Sequence, residues 1–339
     1  MAQMVNEPHG ASVAGARVLV TGAYGLLGSW LTKALLDRRA EVVVLRRDVQ
    51  PGSALVLEGT EPQCTVVHGD ILDAALLERL VGEHEVDTVI HLAAQTIVGT
   101  ANRSPRATFE TNIRGTWNVL EACRLHDVSR TVVAASDKAY GPSDTLPYVE
   151  DLPLRARHPY DVSKAAADLI TRSYWHTYGL PVAVTRLANI YGGGDQNRSR
   201  LIPEAVAAVL EGRAPVIRSD GSPERDLLYV EDAVGAYLAL LDLLATGAGA
   251  GESFNAGSGQ PRSVLEIVEE LCRVAGAELR PDVRGEGVPE GEIDRQWVDS
   301  ARLAAVTGWR ARVDLPEGLA RTLSWYRAHP LALGLIGAF

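Results

Sequence analysis

Cysteine is scarce. Three residues, Cys64, Cys123 and Cys272, stand far apart in a chain of 339, with no C-x-x-C pair. That excludes a disulfide framework and a cysteine zinc site, and it points to reduced core thiols in a cytoplasmic protein. No second His or Cys stands at metal-ligand spacing from His91, so no metal is expected. No uninterrupted apolar run approaches the roughly 20 residues of a membrane-spanning helix. The apolar tail at 331–339 is far too short for that; it can fray or pack on a partner subunit. Residues 1–15 are mixed and polar, without the apolar core of a signal peptide. Positive charge is in deficit. A net charge of −10 argues against nucleic acid as the main partner and leaves any anionic substrate dependent on local basic residues. What the chain does have is 46% apolar residues, enough for one large domain or two unequal ones with a real core.

The most informative stretch lies near the start. Val18-Leu19-Val20 reads as a buried strand, glycines follow at 22, 25 and 28, and Leu26, Leu27, Trp30, Leu31, Ala34 and Leu35 then recur at helical spacing. A strand, a glycine turn and a helix form the context in which glycines signify dinucleotide binding. Gly22 permits the tight turn and Gly25 lets the backbone approach a pyrophosphate at the helix N-terminus. Gly28 lets helix and strand pack closely.

A second strand, Glu41-Val42-Val43-Val44-Leu45, is followed by Arg46-Arg47-Asp48. An acid at this place binds the ribose 2′-hydroxyl of NAD, whereas a guanidinium suits the 2′-phosphate of NADP. Arg46 and Arg47 therefore tilt the expectation toward NADP, with Asp48 still able to reach a ribose. Residues 50–63 read as a loop. Thr65-Val66-Val67-His68-Gly69-Asp70-Ile71 is a strand ending in a turn, where Asp70 can also cap a helix over 74–81. The strand around Val89-Ile90-His91 ends in the small residues Ala93-Ala94, which leave room for a ligand; His91 itself reads as a packed core histidine. Residues 105–125 read as a long amphipathic helix. Asn112 and Gly115 within it are poor helix formers and predict a local kink with an internal role for the Asn112 amide.

The sharpest chemistry is at Ala135-Ser136-Asp137-Lys138 and at His158-Pro159-Tyr160-Asp161-Val162-Ser163-Lys164. Pro159 opens a helix that places Tyr160 and Lys164 on one face. An ammonium beside a phenol stabilises the phenolate, so Tyr160 is expected to act as a general base with a lowered pKa. Asp137-Lys138 is either an acid–base pair or a salt bridge in a turn.

Taken together, the G-x-x-G-x-x-G turn, "HLAA" at 91–94, "TNIRGT" at 111–116, Ser136, and the Tyr160/Lys164 pair resemble the extended branch of the short-chain dehydrogenase/reductase superfamily. That branch holds the nucleotide-sugar epimerases and dehydratases. The "RDLLYVED" element at 225–232 and "NAGSG" at 255–259 extend the resemblance over residues 16–328. It implies an α/β fold: a Rossmann-type doubly wound parallel sheet over 16–187 and a smaller C-terminal α/β substrate lobe over 188–328. Residues 225–260 are expected to cross back, and 1–15 and 329–339 are tails. It implies NADP or NAD held by Gly22, Gly25, Leu26, Leu27, Gly28, Arg46, Arg47, Asp70, Ile71, Leu92, Ala93, Ala94, Asn112, Tyr160 and Lys164. It implies a nucleotide-diphosphate sugar met by Gln95, Asn189, Arg198, Arg200, Leu201, Arg225 and Arg295, with Arg225 as a clamp on the diphosphate or as a structural partner of Asp226. A homodimer or tetramer is the family habit.

The Asp-Lys pair at 137–138 resembles the 4,6-dehydratases acting on CDP-glucose or GDP-mannose type substrates. Removing water across C5–C6 needs a base and an acid that a 4-epimerase does not. The expected activity is therefore 4,6-dehydration, the alternative on the same scaffold being 4-epimerisation. A non-catalytic dinucleotide sensor would not need the Ser136/Tyr160/Lys164 set. One departure stands out: Val288-Pro289 replaces an arginine usual in the family, with Arg284 or Arg295 as substitutes.

Overall fold

The computed structural model describes residues 9–287 and 293–335. The Val288-Pro289 departure and the far ends of both tails lie outside the described residues.

Strands β1 (Arg17–Thr21), β2 (Glu41–Arg46), β3 (Thr65–His68), β4 (Thr88–His91), β5 (Arg130–Ala134) and β6 (Val182–Leu187) join the later strand Ser253–Ala256 in one seven-stranded sheet. Its order is Ser253–Ala256, β6, β5, β4, β1, β2, β3, and every pairing is parallel. The alternation along each strand explains the two-faced burial. Val18 and Val20 of β1 join one core, and Leu19 joins the other. Val42 and Val44 of β2 repeat this against Val43 and Leu45. Both faces are covered by helices, as a parallel sheet requires.

The first helix, Leu26–Asp37, packs on one face with Val230–Ala245. The helices Ala74–Glu83 and Gly115–Leu125 cover the other, through Leu77, Leu80, Val119 and Leu120. The order of the strands reverses direction between β1 and β4, which opens a crevice at their carboxyl ends. The glycine turn and Leu92-Ala93-Ala94 border that crevice.

The expected kink has a defined form. Pro105–Phe109 and Gly115–Leu125 are α-helical, and Glu110–Arg114 between them is one π-helical turn. The connection 50–63 is not wholly irregular, since Ala54–Leu57 and Glu61–Gln63 form short helical turns. Beyond β6, short strands pair Asn189–Tyr191 with Leu227–Tyr229, and Glu224–Arg225 with both Arg262–Ser263 and Arg295–Gln296.

One buried ion pair ties these parts together. Arg186 of β6 forms two hydrogen bonds to Asp168 of the helix Pro159–Tyr178, Nε at 2.8 Å and Nη2 at 3.1 Å, with Asp168 fully buried. The same guanidinium donates to the Tyr140 hydroxyl at 2.8 Å, the Glu150 carbonyl and Ser253 Oγ, and it lies over the Tyr140 ring. Breaking one half of such a pair leaves a charge stranded away from water. Asp168→Ala should therefore lose about 3–5 kcal/mol in urea denaturation, and a loss under about 1 kcal/mol would contradict this reading.

Candidate active site

Ser136 ends the chain's run from β5 and caps the short 3₁₀ turn Asp137–Tyr140, its Oγ accepting from Lys138 N at 3.2 Å. Its hydroxyl donates to Asp137 Oδ1 at 3.1 Å and lies near enough to the Tyr160 phenol to lower its pKa. Tyr160 stands in the first turn of Pro159–Tyr178 and is buried. The turn and the helix thus bring Ser136, Asp137 and Tyr160 together.

Burial dominates the electrostatics. It raises the Asp137 carboxyl to about 6, against the pull of Lys138 and the Ser136 hydrogen bond. Asp137 Oδ2 is buried and has no hydrogen-bond partner among the described residues, which suits a protonated carboxyl awaiting an acceptor. Asp161, also buried, is raised in the same way, with Lys138 opposing. Lys138 therefore faces two carboxyls. Asp161 was not singled out in the sequence; its only signal is an acid directly after Tyr160.

The expected tuning of Tyr160 by Lys164 is corrected here. The phenol is pushed up to about 12, by burial first and by the Asp137 carboxyl next, with Arg200 opposing. The Lys164 ammonium instead donates to the Ala134 carbonyl at 2.8 Å, and burial lowers it to about 8.

The glycine turn fits a dinucleotide. Gly22 has φ 77°, and a Cβ there would sit 2.7 Å from Ala93 N. A Cβ on Gly28 would collide with the Gly22 carbonyl. No side chain caps Leu26–Asp37, so the N–H groups of its first turn, at Leu26, Leu27 and Gly28, are free for an anion. His91 is the core histidine expected. Thr116 gives its proton to the Asn112 carbonyl at 2.7 Å, so its oxygen accepts from Nε2 at 3.0 Å, and Nδ1 accepts from Thr21 at 2.7 Å. Burial lowers its pKa to about 3, and the ring is neutral.

Several expected ligands prove to be engaged within the protein. The Asn112 amide donates to the Gln95 carbonyl and to Ser163 Oγ, and its Oδ1 accepts from Gln95 N. Both Nδ2 protons are used, so this amide holds β4's end against the Tyr160 helix rather than reaching a cofactor. The Gln95 side chain folds back on Ile97 N and O. Asp73, not Asp70, caps the helix Ala74–Glu83, while Asp70 accepts from Leu72 N at the end of β3. The Ile71 side chain is in the core.

Arg46 bonds Glu61 at 3.0 Å, and Arg47 makes an exposed pair with Asp48. Arg198 turns to the Leu333 carbonyl, Glu204 and Glu211. Arg200 bonds Asp195 and the Ile190 carbonyl, yet stays near enough to lower Tyr160. Leu201 opens the helix Leu201–Leu210 beside it. Asn189 Nδ2 is buried without a partner among the described residues. Arg225 donates to the Glu224 and Asp294 carbonyls and, with Arg262 and Arg312, lines a cavity of about 80 Å³. Arg295 is paired to Glu224 at 2.8 Å over Trp297.

Residues 18–257 match the family described as NAD dependent epimerase/dehydratase. The chain belongs to that family. Among curated epimerase/dehydratase relatives, a dTDP-glucose 4,6-dehydratase of an Actinoplanes strain is 34% identical over 92% of this chain and 98% of its own. A solved dTDP-glucose 4,6-dehydratase from Streptomyces venezuelae, with NAD and TYD bound, is 32% identical with a TM-score of 0.84, covering 94% of this chain and 99% of its own. A UDP-glucose 4-epimerase from Thermotoga maritima, solved with UDP-glucose, is 27% identical at the same TM-score, over 92% and 98%. This family member is thus similar to both dehydratases and epimerases, and among its described residues no helix is long and apolar enough to cross a membrane.

The raised Asp137 carboxyl has a thermodynamic signature. The native carboxyl keeps its proton up to about pH 6 and the unfolded one only to about 3.8. Between these values the native state binds more protons, so stability falls as pH rises through that window. Asp137→Asn removes this dependence. The mutant's stability relative to the parent should rise by on the order of 2 kcal/mol between about pH 4 and about pH 7, at roughly 1.4 kcal/mol per unit. Denaturant titrations at the two pH values check it, and parallel curves would contradict it.

Proposed function

We propose that the chain is a nucleotide-sugar 4,6-dehydratase that converts a nucleotide hexose to its 4-keto-6-deoxy form. The observation that carries this is Asp137: a buried carboxyl with an unpartnered oxygen, raised toward neutrality and beside Ser136 and Tyr160. A 4-epimerase oxidises and reduces one carbon and has no use for a carboxylic acid. Elimination has, because the 6-hydroxyl leaves only once it is protonated.

A dinucleotide held at the turn of Gly22, Gly25 and Gly28 would supply the hydride chemistry between C4 and C6. The protein's own groups move the protons. Tyr160, beside Ser136, receives the proton of the 4-hydroxyl. Its raised pKa means that it needs added positive charge to act as a base near neutral pH, a charge that an oxidised dinucleotide would bring. Lys138, in its neutral form, takes the proton from C5, which the adjacent 4-ketone has made acidic; Asp137 gives its proton to the departing 6-hydroxyl; and Lys138 returns a proton to C5 as hydride arrives at C6. Lys164 holds the Ala134 carbonyl at the end of β5 and lends cationic charge to the site.

Arg225, Arg262 and Arg312 are the basic groups for the substrate diphosphate, and Asn189 offers its unpartnered Nδ2 to the sugar nucleotide. dTDP-glucose, the substrate named for the dehydratase relatives, is the first to assay, ahead of CDP-glucose and GDP-mannose. The protein works in the cytoplasm as a homodimer. The exposed Phe109, Trp117 and Leu169 on the neighbouring helices Pro105–Phe109, Gly115–Leu125 and Pro159–Tyr178 support that second point.

Two measurements follow. Light scattering should give twice the chain mass for the parent and the single-chain mass for Trp117→Asp/Leu169→Asp; a parent of single-chain mass would end the dimer reading. In deuterated water the product should carry deuterium at C5 and be lighter than substrate by one water, before isotope is counted. Lys138→Met should abolish C5 exchange, and Asp137→Asn should slow water loss by about 10²–10⁴-fold. A product of unchanged mass, inverted at C4 and free of deuterium, would overturn the dehydratase reading in favour of the epimerase.

A further inference from the structure

His91 closes β4, is buried, and has no place in the proton transfers above. Packing alone does not call for an imidazole there, since an apolar side chain would fill the space without two ring nitrogens to satisfy. Both nitrogens are satisfied, by groups that lead in opposite directions. On one side Thr21 of β1 donates to Nδ1 at 2.7 Å, and the Thr21 oxygen accepts from Ala93 N at 3.3 Å. Ala93 lies against the glycine turn, where a Cβ on Gly22 would stand 2.7 Å from its nitrogen. On the other side Nε2 donates to Thr116 at 3.0 Å, and Thr116 donates to the Asn112 carbonyl at 2.7 Å.

Asn112 carries the contact onward. It stands in the π turn Glu110–Arg114, and its Nδ2 donates to Ser163 Oγ at 2.9 Å. Ser163 Oγ donates to the Tyr160 carbonyl at 2.6 Å. Thr21, His91, Thr116, Asn112 and Ser163 are all buried. We infer that His91 is a positioning residue for Tyr160: it ties the strand behind the glycine turn to the first turn of the helix that carries the phenol.

The order of donors gives this chain its stiffness. From Ala93 N to the Asn112 carbonyl, each hydroxyl and the ring accept on one side and donate on the other. One arrangement of protons satisfies all of them, and each bond polarises the next. Away from water a broken link leaves a polar group to bear its desolvation unpaired, so the links hold together or fail together. The order needs a neutral ring, because a doubly protonated imidazole offers Thr21 no acceptor. Burial keeps the ring neutral, and the charge of Lys164 acts in the same sense. The inference rests on the reading of Tyr160 as the group that takes the 4-hydroxyl proton, a step that dehydration and epimerisation share.

Thr116 allows the test without touching the ring. Thr116→Val keeps the volume and removes the hydroxyl, whereas Thr116→Ser keeps the hydroxyl and removes a methyl group. NAD-loaded protein is supplied with dTDP-glucose, UDP-glucose, CDP-glucose and GDP-mannose in turn, and product is followed by chromatography. Thr116→Val should lower kcat by about tenfold, as a misplaced reactive group does, with the sugar KM within about twofold of the parent. Thr116→Ser should stay within about twofold of the parent in both. His91→Leu should resemble Thr116→Val, and the two together should be no slower than the slower single, because both cut one chain. His91→Gln, whose amide can still donate to Thr116, should recover part of the rate; if His91→Leu does not fold, the Thr116 variants decide. A packing role would spare Thr116→Val. Thr116→Val at the parent's rate, Thr116→Ser as slow as Thr116→Val, or a double loss equal to the product of the single losses would overturn the inference and leave His91 a core residue. A parent that converts none of the four sugars overturns the reading of Tyr160 itself, and the inference with it.

Discussion

The Arg186–Asp168 pair is the interaction on which the site's geometry hangs. Asp168 belongs to the helix that carries Tyr160 and Lys164, and Arg186 to the strand alongside. Through the Tyr140 hydroxyl the guanidinium reaches the turn that carries Asp137 and Lys138, and through Ser253 it reaches the sheet's edge strand. Tyr140 passes the restraint on: it donates to Asn255, whose amide holds the Tyr148 carbonyl. A fully buried guanidinium tolerates no loose partner, because each N–H left unmade costs its desolvation. Asp137, Lys138 and the Tyr160 phenol are therefore fixed to one another by a group that none of them bonds.

The second theme is that burial, more than neighbouring charge, determines the protonation states. Asp137 and Tyr160 are raised, and Lys164 and His91 are lowered, each by desolvation first. All four shifts favour the neutral form. A site of this kind responds strongly to any charge placed in it, because the low-dielectric surroundings do little to screen it. That makes the protein's proton carriers sensitive to which ligands are bound, without any movement of the chain.

Much of this was legible in the sequence, and what was missed has physical reasons. The apolar run of β1 and the glycine turn with the helical spacing after it are local signals, and β1 and Leu26–Asp37 fall where they predict. Asn112 and Gly115 signalled a break, which proved to be the π turn Glu110–Arg114. The internal role expected of the Asn112 amide holds, but its particular partners, Gln95 and Ser163, were not legible, because they depend on which elements pack together. The same holds for Glu61, which lies in a connection without periodicity, and for Arg186, whose partners are distant in sequence. Lys164 shows the limit from the other side: spacing placed it on the right helical face, and the Ala134 carbonyl then claimed its ammonium.

The position of Ser253–Ala256 also bears on how the chain acquires its structure. This strand completes the sheet on the far side of β6, yet it is made only after a long excursion through the second lobe. Until it arrives, β6 has an open hydrogen-bonding edge, and the Arg186 guanidinium lacks one of its acceptors. During synthesis, then, the first six strands can assemble only into a sheet that ends at β6. Non-local pairing of this sort is slow to form, so the passage of that border from β6 to Ser253–Ala256 is a late event, and only with it does the Arg186 guanidinium gain its Ser253 acceptor.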